Sequence, residues 1–272
     1  MPYALSDVLA VTERLWPSAG AESWDAPGLV TGEPHQSVAS IHLVVDAVAD
    51  SLDEAIAAGA DLVIAHHPLL LFGVKSVAET HYKGAVLAKL IRSETALLSA
   101  HTNADVVAEG TSAVLAAGLG LTGLHPISPT GAEGNGIGRV GALPEAVTLG
   151  RLARMVAELL PPTAGGVRVA GAFDEPVQTV AVCGGAGDSL LSDPAVRAAD
   201  VYLTADLRHH PASEAREQHR LGFGPALIDV SHWASEWLWL ETAAAQLREA
   251  LPEASVTVSE VRTDPWDFAI VQ

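Results

Sequence analysis

Residues 41–67 read IHLVVDAVADSLDEAIAAGADLVIAHH, and the fold class follows from this stretch. Residues 41–45 are apolar and largely β-branched, which predicts a strand. Residues 50–58 carry apolar positions at helical spacing, and Gly59 suits the end of that helix. Residues 62–65 form a short, fully apolar run, as expected of a strand buried on both faces, and they deliver His66 and His67. Short apolar strands alternating with helices imply an α/β class with largely parallel sheets.

The same plan recurs further along the chain. Residues 180–210 read VAVCGGAGDSLLSDPAVRAADVYLTADLRHH, which predicts a strand over 180–183 and a turn at Gly184-Gly-Ala-Gly187. A helix over 188–199 and a strand over 201–204 follow, leading to Asp206, His209 and His210. In both copies the first strand starts twenty residues before the aspartate of an Ala-Asp pair, Ile41 to Asp61 and Val180 to Asp200. Each copy is followed by a strand ending in His-x-x-x-acid, one leading into His101 and Asp105, the other into His232 and Glu236. The reading is of two similar α/β lobes, an internal duplication, with the functional site in the cleft between them. Residues 1–125 hold the first lobe, 126–250 the second, and 251–272 a C-terminal strand that returns to the first. Residues 123–138, rich in Gly, Pro and Ser, read as a connection. A strand restarts at residues 139–143, and a helix over 149–160 runs until Pro161-Pro162 stops it.

Composition narrows the function classes. Fifteen basic against 33 acidic residues give a net charge of −18, spread along the chain, which disfavours gripping nucleic-acid phosphates. The single cysteine, Cys183, rules out an intramolecular disulfide and a cysteine-based zinc knuckle, and fits a reducing compartment. The first residues lack the basic start and apolar core of a signal peptide, and no apolar run approaches the roughly 20 residues of a membrane span. A cytoplasmic location without membrane attachment is expected.

Imidazole and carboxylate are the ligands that borderline and hard divalent ions prefer, and the runs carrying them stand where strands end. His66-His67-Pro68 places two imidazoles at a strand exit, where they reach two neighbouring ions, or one ion and a solvent. If a helix begins near His232, His232 and Glu236 share one face and grip one centre, and Glu236 has a second oxygen with which to bridge. Asp105 is a hard anionic donor, whereas His101 suits a ligand, an orienting group or a proton shuttle. Asp206, His209 and His210 suit similar roles. The Gly184–Gly187 run is read either as a tight turn or as a loop exposing N–H groups to an anion. No full dinucleotide fingerprint or Walker motif is present.

Glu22-Ser-Trp-Asp-Ala-Pro-Gly-Leu29, Ala65-His-His-Pro-Leu69, Ala100-His-Thr-Asn-Ala-Asp105, Gly138-Arg-Val-Gly141, Val182-Cys-Gly-Gly-Ala-Gly187, Thr204-Ala-Asp206 and Ile228-Asp-Val-Ser-His-Trp-Ala-Ser-Glu236 cover nearly the whole chain. In that order they resemble the signatures of the NGG-one-interacting-factor-three family, also labelled type 2 GTP cyclohydrolase I homologues. The resemblance implies two α/β lobes, a dinuclear metal centre and a toroidal homohexamer without an extra inserted domain. It puts the family's five metal ligands on His66, His67, Asp105, His232 and Glu236. It departs from the family pattern at Ala26, Ala205 and Ser231, where Asn, Gly and Gly are usual. Two divalent ions (Zn, Fe or Mn) per subunit then suggest a metal-dependent hydrolase of a small molecule, with His101 or His210 moving protons. The alternative is a non-catalytic metal carrier or a regulatory scaffold ring.

Overall fold

In the computed structural model, residues 2–270 are described. They form two compact units, one of residues 2–104 and 240–263, the other of residues 105–239 and 264–270.

The first unit opens with β1 (Tyr3–Ala4) and α1 (Leu5–Leu15), then β2 (Gly28–Thr31) and β3 (Ser37–Val38), which pairs with β1. Its centre is β4 (Ser40–Val44), α2 (Ala49–Ala57), β5 (Leu62–Ala65), α3 (Tyr82–Arg92), β6 (Ala96–Ser99) and the single turn α4 (Thr102–Asp105). Strands β4, β5 and β6 run parallel, side by side, and β2 adds antiparallel to β6. Every residue of β5 and β6 is buried, and both are apolar except for Ser99 at the end of β6. Leu52 and Ala55 of α2 and Val86 and Leu90 of α3 pack with Val44, Val63 and Leu97 of the sheet.

The second unit contains α5 (Thr111–Gly118), β7 (Thr122–His125), the small ribbon of β8 (Ser128–Pro129) with β9 (Gly136–Ile137), β10 (Arg139–Thr148) and α6 (Leu149–Leu159). There follow β11 (Arg168–Ala170), β12 (Pro176–Ala186), α7 (Pro194–Ala198), β13 (Val201–Ala205), α8 (His209–Arg220), β14 (Ala226–Val230) and the start of α9 (His232–Ala250), whose residues from 240 onward count with the first unit. The sheet order is β11-β14-β13-β12-β10-β7, in which the parallel neighbours are β12 with β13 and β13 with β14. The last strand, β15 (Ser255–Val258), adds parallel to β4 in the first unit. His42 secures it from inside, with Nδ1 2.8 Å from Thr257 Oγ1 and Nε2 3.1 Å from Glu54.

The twofold plan of the sequence reappears as matched connectivity: β4-β5-β6-β2 in one unit has the same order and senses as β12-β13-β14-β11 in the other. The paired aspartates explain the twenty-residue spacing. Asp61 Oδ2 accepts the N–H groups of Ala39 and Ser40 at 2.8 and 2.9 Å, and Asp200 Oδ2 accepts those of Gln178 and Thr179 at 2.9 and 2.8 Å. Their own N–H groups return to Ser40 and Thr179, and their carbonyls receive Ala96 and Ala226. Each aspartate thus ties the starts of three neighbouring strands.

Several local expectations are corrected. Residues 105–125 belong with the second unit, because β7 pairs with β10 and α5 packs on β10 and β12. The connection at 123–138 contains ordered strand pairs, β7 with β10 and β8 with β9. The helix expected over 188–199 is a 3₁₀ turn, Asp188–Leu190, followed by the short α7. Pro194 has no N–H to donate and is tolerated only in a first turn, which Asp193 caps by accepting from Ala195 N at 2.8 Å. The glycine run 184–187 is not a loop after a strand, since β12 extends through Ala186 with an irregular register.

Replacing Asp61 or Asp200 by alanine is expected to destabilise the protein by similar amounts, on the order of 1–2 kcal/mol each. Chemical denaturation of the two single variants checks this; a loss confined to one would deny the two positions equivalent roles.

Candidate metal centre

In the first unit, three imidazoles converge from two strand ends. His66 and His67 follow β5, where the chain leaves the sheet through backbone bonds from His66 N to Val44 O and His67 N to Val45 O. His101 follows β6. One ring nitrogen from each of the three lies within 4.8 Å of the others, and the ring centroids are 5.1–5.6 Å apart. Each ring is oriented by an oxygen at Nδ1: Ala100 O at 2.9 Å for His66, Asp46 Oδ1 at 2.7 Å for His67 and Asp25 Oδ1 at 2.8 Å for His101. An acceptor at Nδ1 favours the tautomer with its proton there, which leaves the Nε2 lone pair as the donor to a metal.

These acceptors are themselves held. Thr263 Oγ1 donates to Asp46 Oδ2 at 2.5 Å. The Asp25 side chain is wholly buried and receives Thr102 N at 3.0 Å, Thr102 Oγ1 at 2.5 Å and Ala26 N at 2.7 Å besides His101. Burial by itself raises the Asp25 pKa, but the bonds from His101, Thr102 and Ala26 outweigh it and hold the carboxyl below its ordinary value.

In the second unit, α9 begins at His232, so the i and i+4 side chains of His232 and Glu236 share one face. His232 Nε2 lies 3.1 Å from Glu236 Oε1 and Nδ1 lies 2.8 Å from Asp206 Oδ2. Ser231 helps start the helix: its Oγ accepts from Ala234 N at 3.2 Å and donates to Asp264 at 2.5 Å. Burial works against a charged imidazole, yet the neighbouring Glu236 and Asp206 carboxylates push the His232 pKa up to about 11. Asp206 itself stands at φ +55, a left-handed conformation that non-glycine residues adopt at a cost, and from it reaches His232.

Asp105 closes α4 and accepts from Thr111 Oγ1 at 2.5 Å. The chain just after it is pinned by buried Arg139, whose guanidinium donates to the carbonyls of Val107, Gly136 and Gly138 at 2.6–2.7 Å. Burial lowers the Arg139 pKa, with Asp105 acting in the opposite direction. Burial also drives the Cys183 thiol up to about 12, reinforced by Asp105 and Glu236, so this cysteine stays protonated and inert.

The glycine run has a role different from anion binding. The N–H groups of Gly184 and Gly185 go to Ser112 Oγ and Ser235 Oγ at 3.1 and 2.9 Å, so they are spent inside the protein. A Cβ on Gly185, at φ +69, would collide with Glu236 Oε1 and stand 3.1 Å from His232 Nε2. The run is the floor beneath a histidine–carboxylate pair.

Of the other expected site residues, His210 is exposed in the first turn of α8, its ring 5.2 Å from that of His209. No hydrogen bond joins it to His232, Glu236 or Asp105 among the described residues. Sequence reasoning assigned no role to Asp25 or Asp46, although Asp25 lay in plain view within Glu22–Leu29. Trp233 and Trp239 are buried packing groups.

The Duf34/NIF3 (NGG1p interacting factor 3) family model matches residues 3–265. A Streptomyces coelicolor protein named GTP cyclohydrolase 1 type 2 homolog is 47% identical over 269 residues, covering 96% of this chain and 93% of that protein. A Mycobacterium leprae protein of the same name is 34% identical, covering 98% and 96%. Among solved structures, a Bacillus cereus protein related to NIF3 superposes with a TM-score of 0.90 at 23% identity, covering 99% of this chain and all of its own. A hypothetical protein of Staphylococcus aureus gives 0.88 at 25% identity, with the same coverage. No helix among the described residues is long and apolar enough to cross a membrane.

Gly185→Ala is expected to cost about 1–3 kcal/mol, since it combines overpacking with a left-handed backbone. Gly184→Ala, whose Cβ would meet only ordinary contacts at 3.5 Å, should be close to neutral. Denaturant melts of the two variants compare them directly, and equal losses would remove the special role of position 185. Cys183 should resist iodoacetamide at pH 8 in the native protein and react promptly once unfolded; mass spectrometry of the alkylated chain reads the difference.

Proposed function

The chain belongs to the Duf34/NIF3 family, and on that premise we propose that it is a dinuclear metal-dependent hydrolase. His66, His67, Asp105, His232 and Glu236 are the residues that hold two divalent ions (zinc, iron or manganese). The observation that carries this reading is the shared state of the histidines. His66, His67 and His232 each have Nδ1 against an oxygen acceptor, the arrangement that prepares Nε2 for metal. The donor set fits such ions in its chemistry, with three imidazoles, two carboxylates and no thiolate. The 3.1 Å between His232 Nε2 and Glu236 Oε1 fits two neighbouring donors on one ion, given metal–ligand bonds of about 2.0–2.2 Å.

When bound, a pair of divalent ions supplies a water ionisable near neutral pH and an electrophile for the oxygen on which charge develops. The protein's own groups do the rest. Asp46 and Asp206 orient His67 and His232. His101 takes up and returns a proton at Nε2, and Asp25, kept ionised, steadies the charge that forms on the ring. His101 is preferred to His210 for this step because it sits in the histidine cluster with a buried carboxylate behind it. The relatives' name suggests hydrolytic opening of the guanine ring of GTP as the first reaction to test.

Metal analysis of protein purified anaerobically and reconstituted with zinc, iron or manganese should return about two ions per chain. One or fewer would overturn the dinuclear reading. Glu236→Ala should lose metal more severely than His101→Ala, for which a roughly 10–100-fold loss of activity is expected. An unbiased metabolite screen, starting with GTP, should show turnover that Glu236→Ala abolishes. Ready transfer of ions to an apo-acceptor without any turnover would favour a metal carrier instead, a role that the charge of −18 also suits.

The assembly belonging to this reading is a closed homohexamer. Light scattering of the metal-loaded protein should give six times the chain mass of 28.1 kDa. A monomer at working concentration would refute the ring.

A further inference from the structure

The segment Glu22–Leu29 holds one residue that the metal reading does not use. Trp24 exposes 58% of its surface, whereas Trp16, Trp233 and Trp239 are buried. Its position is nevertheless set by strong anchors on either side. Glu22 N donates to Thr102 Oγ1 at 2.9 Å, Asp25 N to Glu22 O at 3.0 Å, and the next side chain, Asp25, is wholly buried against His101 and Thr102. The indole stands edge-on to the His101 ring, with centroids 5.8 Å apart and planes at 77°. A large apolar ring is therefore held in solvent, on a pinned turn, beside an imidazole of the histidine cluster. Leaving such a ring uncovered forgoes the gain of burying its apolar surface, which a ligand could recover.

We infer that Trp24 is a stacking platform for a flat heteroaromatic ring of the substrate, a nucleobase or a ring of similar shape. This rests on the reading of His101 as part of the reaction site. An aromatic face recognises flat rings by stacking, largely irrespective of their hydrogen-bonding edge. A cationic ligand would also be drawn to an indole face, but it would meet the positive charge of the bound metal ions. A ring stacked on Trp24 lies near the His101 imidazole, so that the group that moves the proton and the group that orients the substrate are fixed by one turn. Trp24 is a positioning residue for binding and does not take part in proton transfer.

The test uses the full-length, metal-loaded protein as wild type, Trp24→Ala and Trp24→Phe. The probes are the four ribonucleoside triphosphates, with inorganic triphosphate as the ring-free control. Calorimetry should show at least one nucleotide binding the wild type more tightly than triphosphate does. Trp24→Ala should weaken that nucleotide about ten-fold or more, Trp24→Phe should keep most of the affinity, and triphosphate should bind all three alike. Metal content should be the same in all three. Equal nucleotide affinity for wild type and Trp24→Ala, or no nucleotide exceeding triphosphate on the wild type, would overturn the platform. So would a change in molar mass of Trp24→Ala by light scattering, which would make the indole a contact between copies. If metal analysis refutes the dinuclear centre while Trp24→Ala still loses nucleotide, the platform stands and only the hydrolase reading falls.

Discussion

An imidazole has two nitrogens, and what one of them is bonded to decides what the other can do. In this protein the rings of His66, His67, His101 and His232 all have an oxygen acceptor against Nδ1. Three of those acceptors are carboxylates and the fourth is a backbone carbonyl. With that contact made, the ring plane is set and Nε2 of His66, His67 and His101 becomes a directed base or ligand, while Nε2 of His232 faces the Glu236 carboxylate. Much of the remaining structure serves to place these acceptors.

The sheets supply the placement. A parallel strand ends where its side chains leave the close packing of the layer, so polar groups there can turn towards one another while the strand behind them stays apolar. β5 and β6 end beside each other, which sets His66 and His67 next to His101. β13 ends at Asp206 and β14 delivers His232, again from neighbouring parallel strands. The same device is used in each unit, and the aspartates that brace the opposite ends of the strands, Asp61 and Asp200, match bond for bond.

The strained and crowded positions lie where this arrangement demands them. Asp206 adopts a left-handed backbone to reach its histidine, and Gly185 lacks a side chain because Glu236 occupies that space. Arg139, buried among carbonyls, ties down the chain beyond Asp105. Cys183, the one cysteine, is kept protonated by burial near the two acids, so the surroundings of Asp105 and Glu236 contain no competing thiolate.

The strands and most helices were legible in the amino-acid sequence, because their cues are local: apolar runs of four or five residues, helical periodicity, and glycine or proline at the ends. The chemistry of the candidate site was legible too, since His66, His67, His101, His232 and Glu236 all stand directly after strands or four residues into a helix. The tertiary structure decided what orients them. Asp25 lies 76 residues from His101, Asp46 21 from His67 and Asp206 26 from His232, separations at which no periodicity links donor to acceptor. The glycines at 184–187 were misread for the same reason. A glycine pattern records that a side chain is excluded, and only the packed structure reveals that the excluding group at Gly185 is a carboxylate of α9 rather than a bound anion.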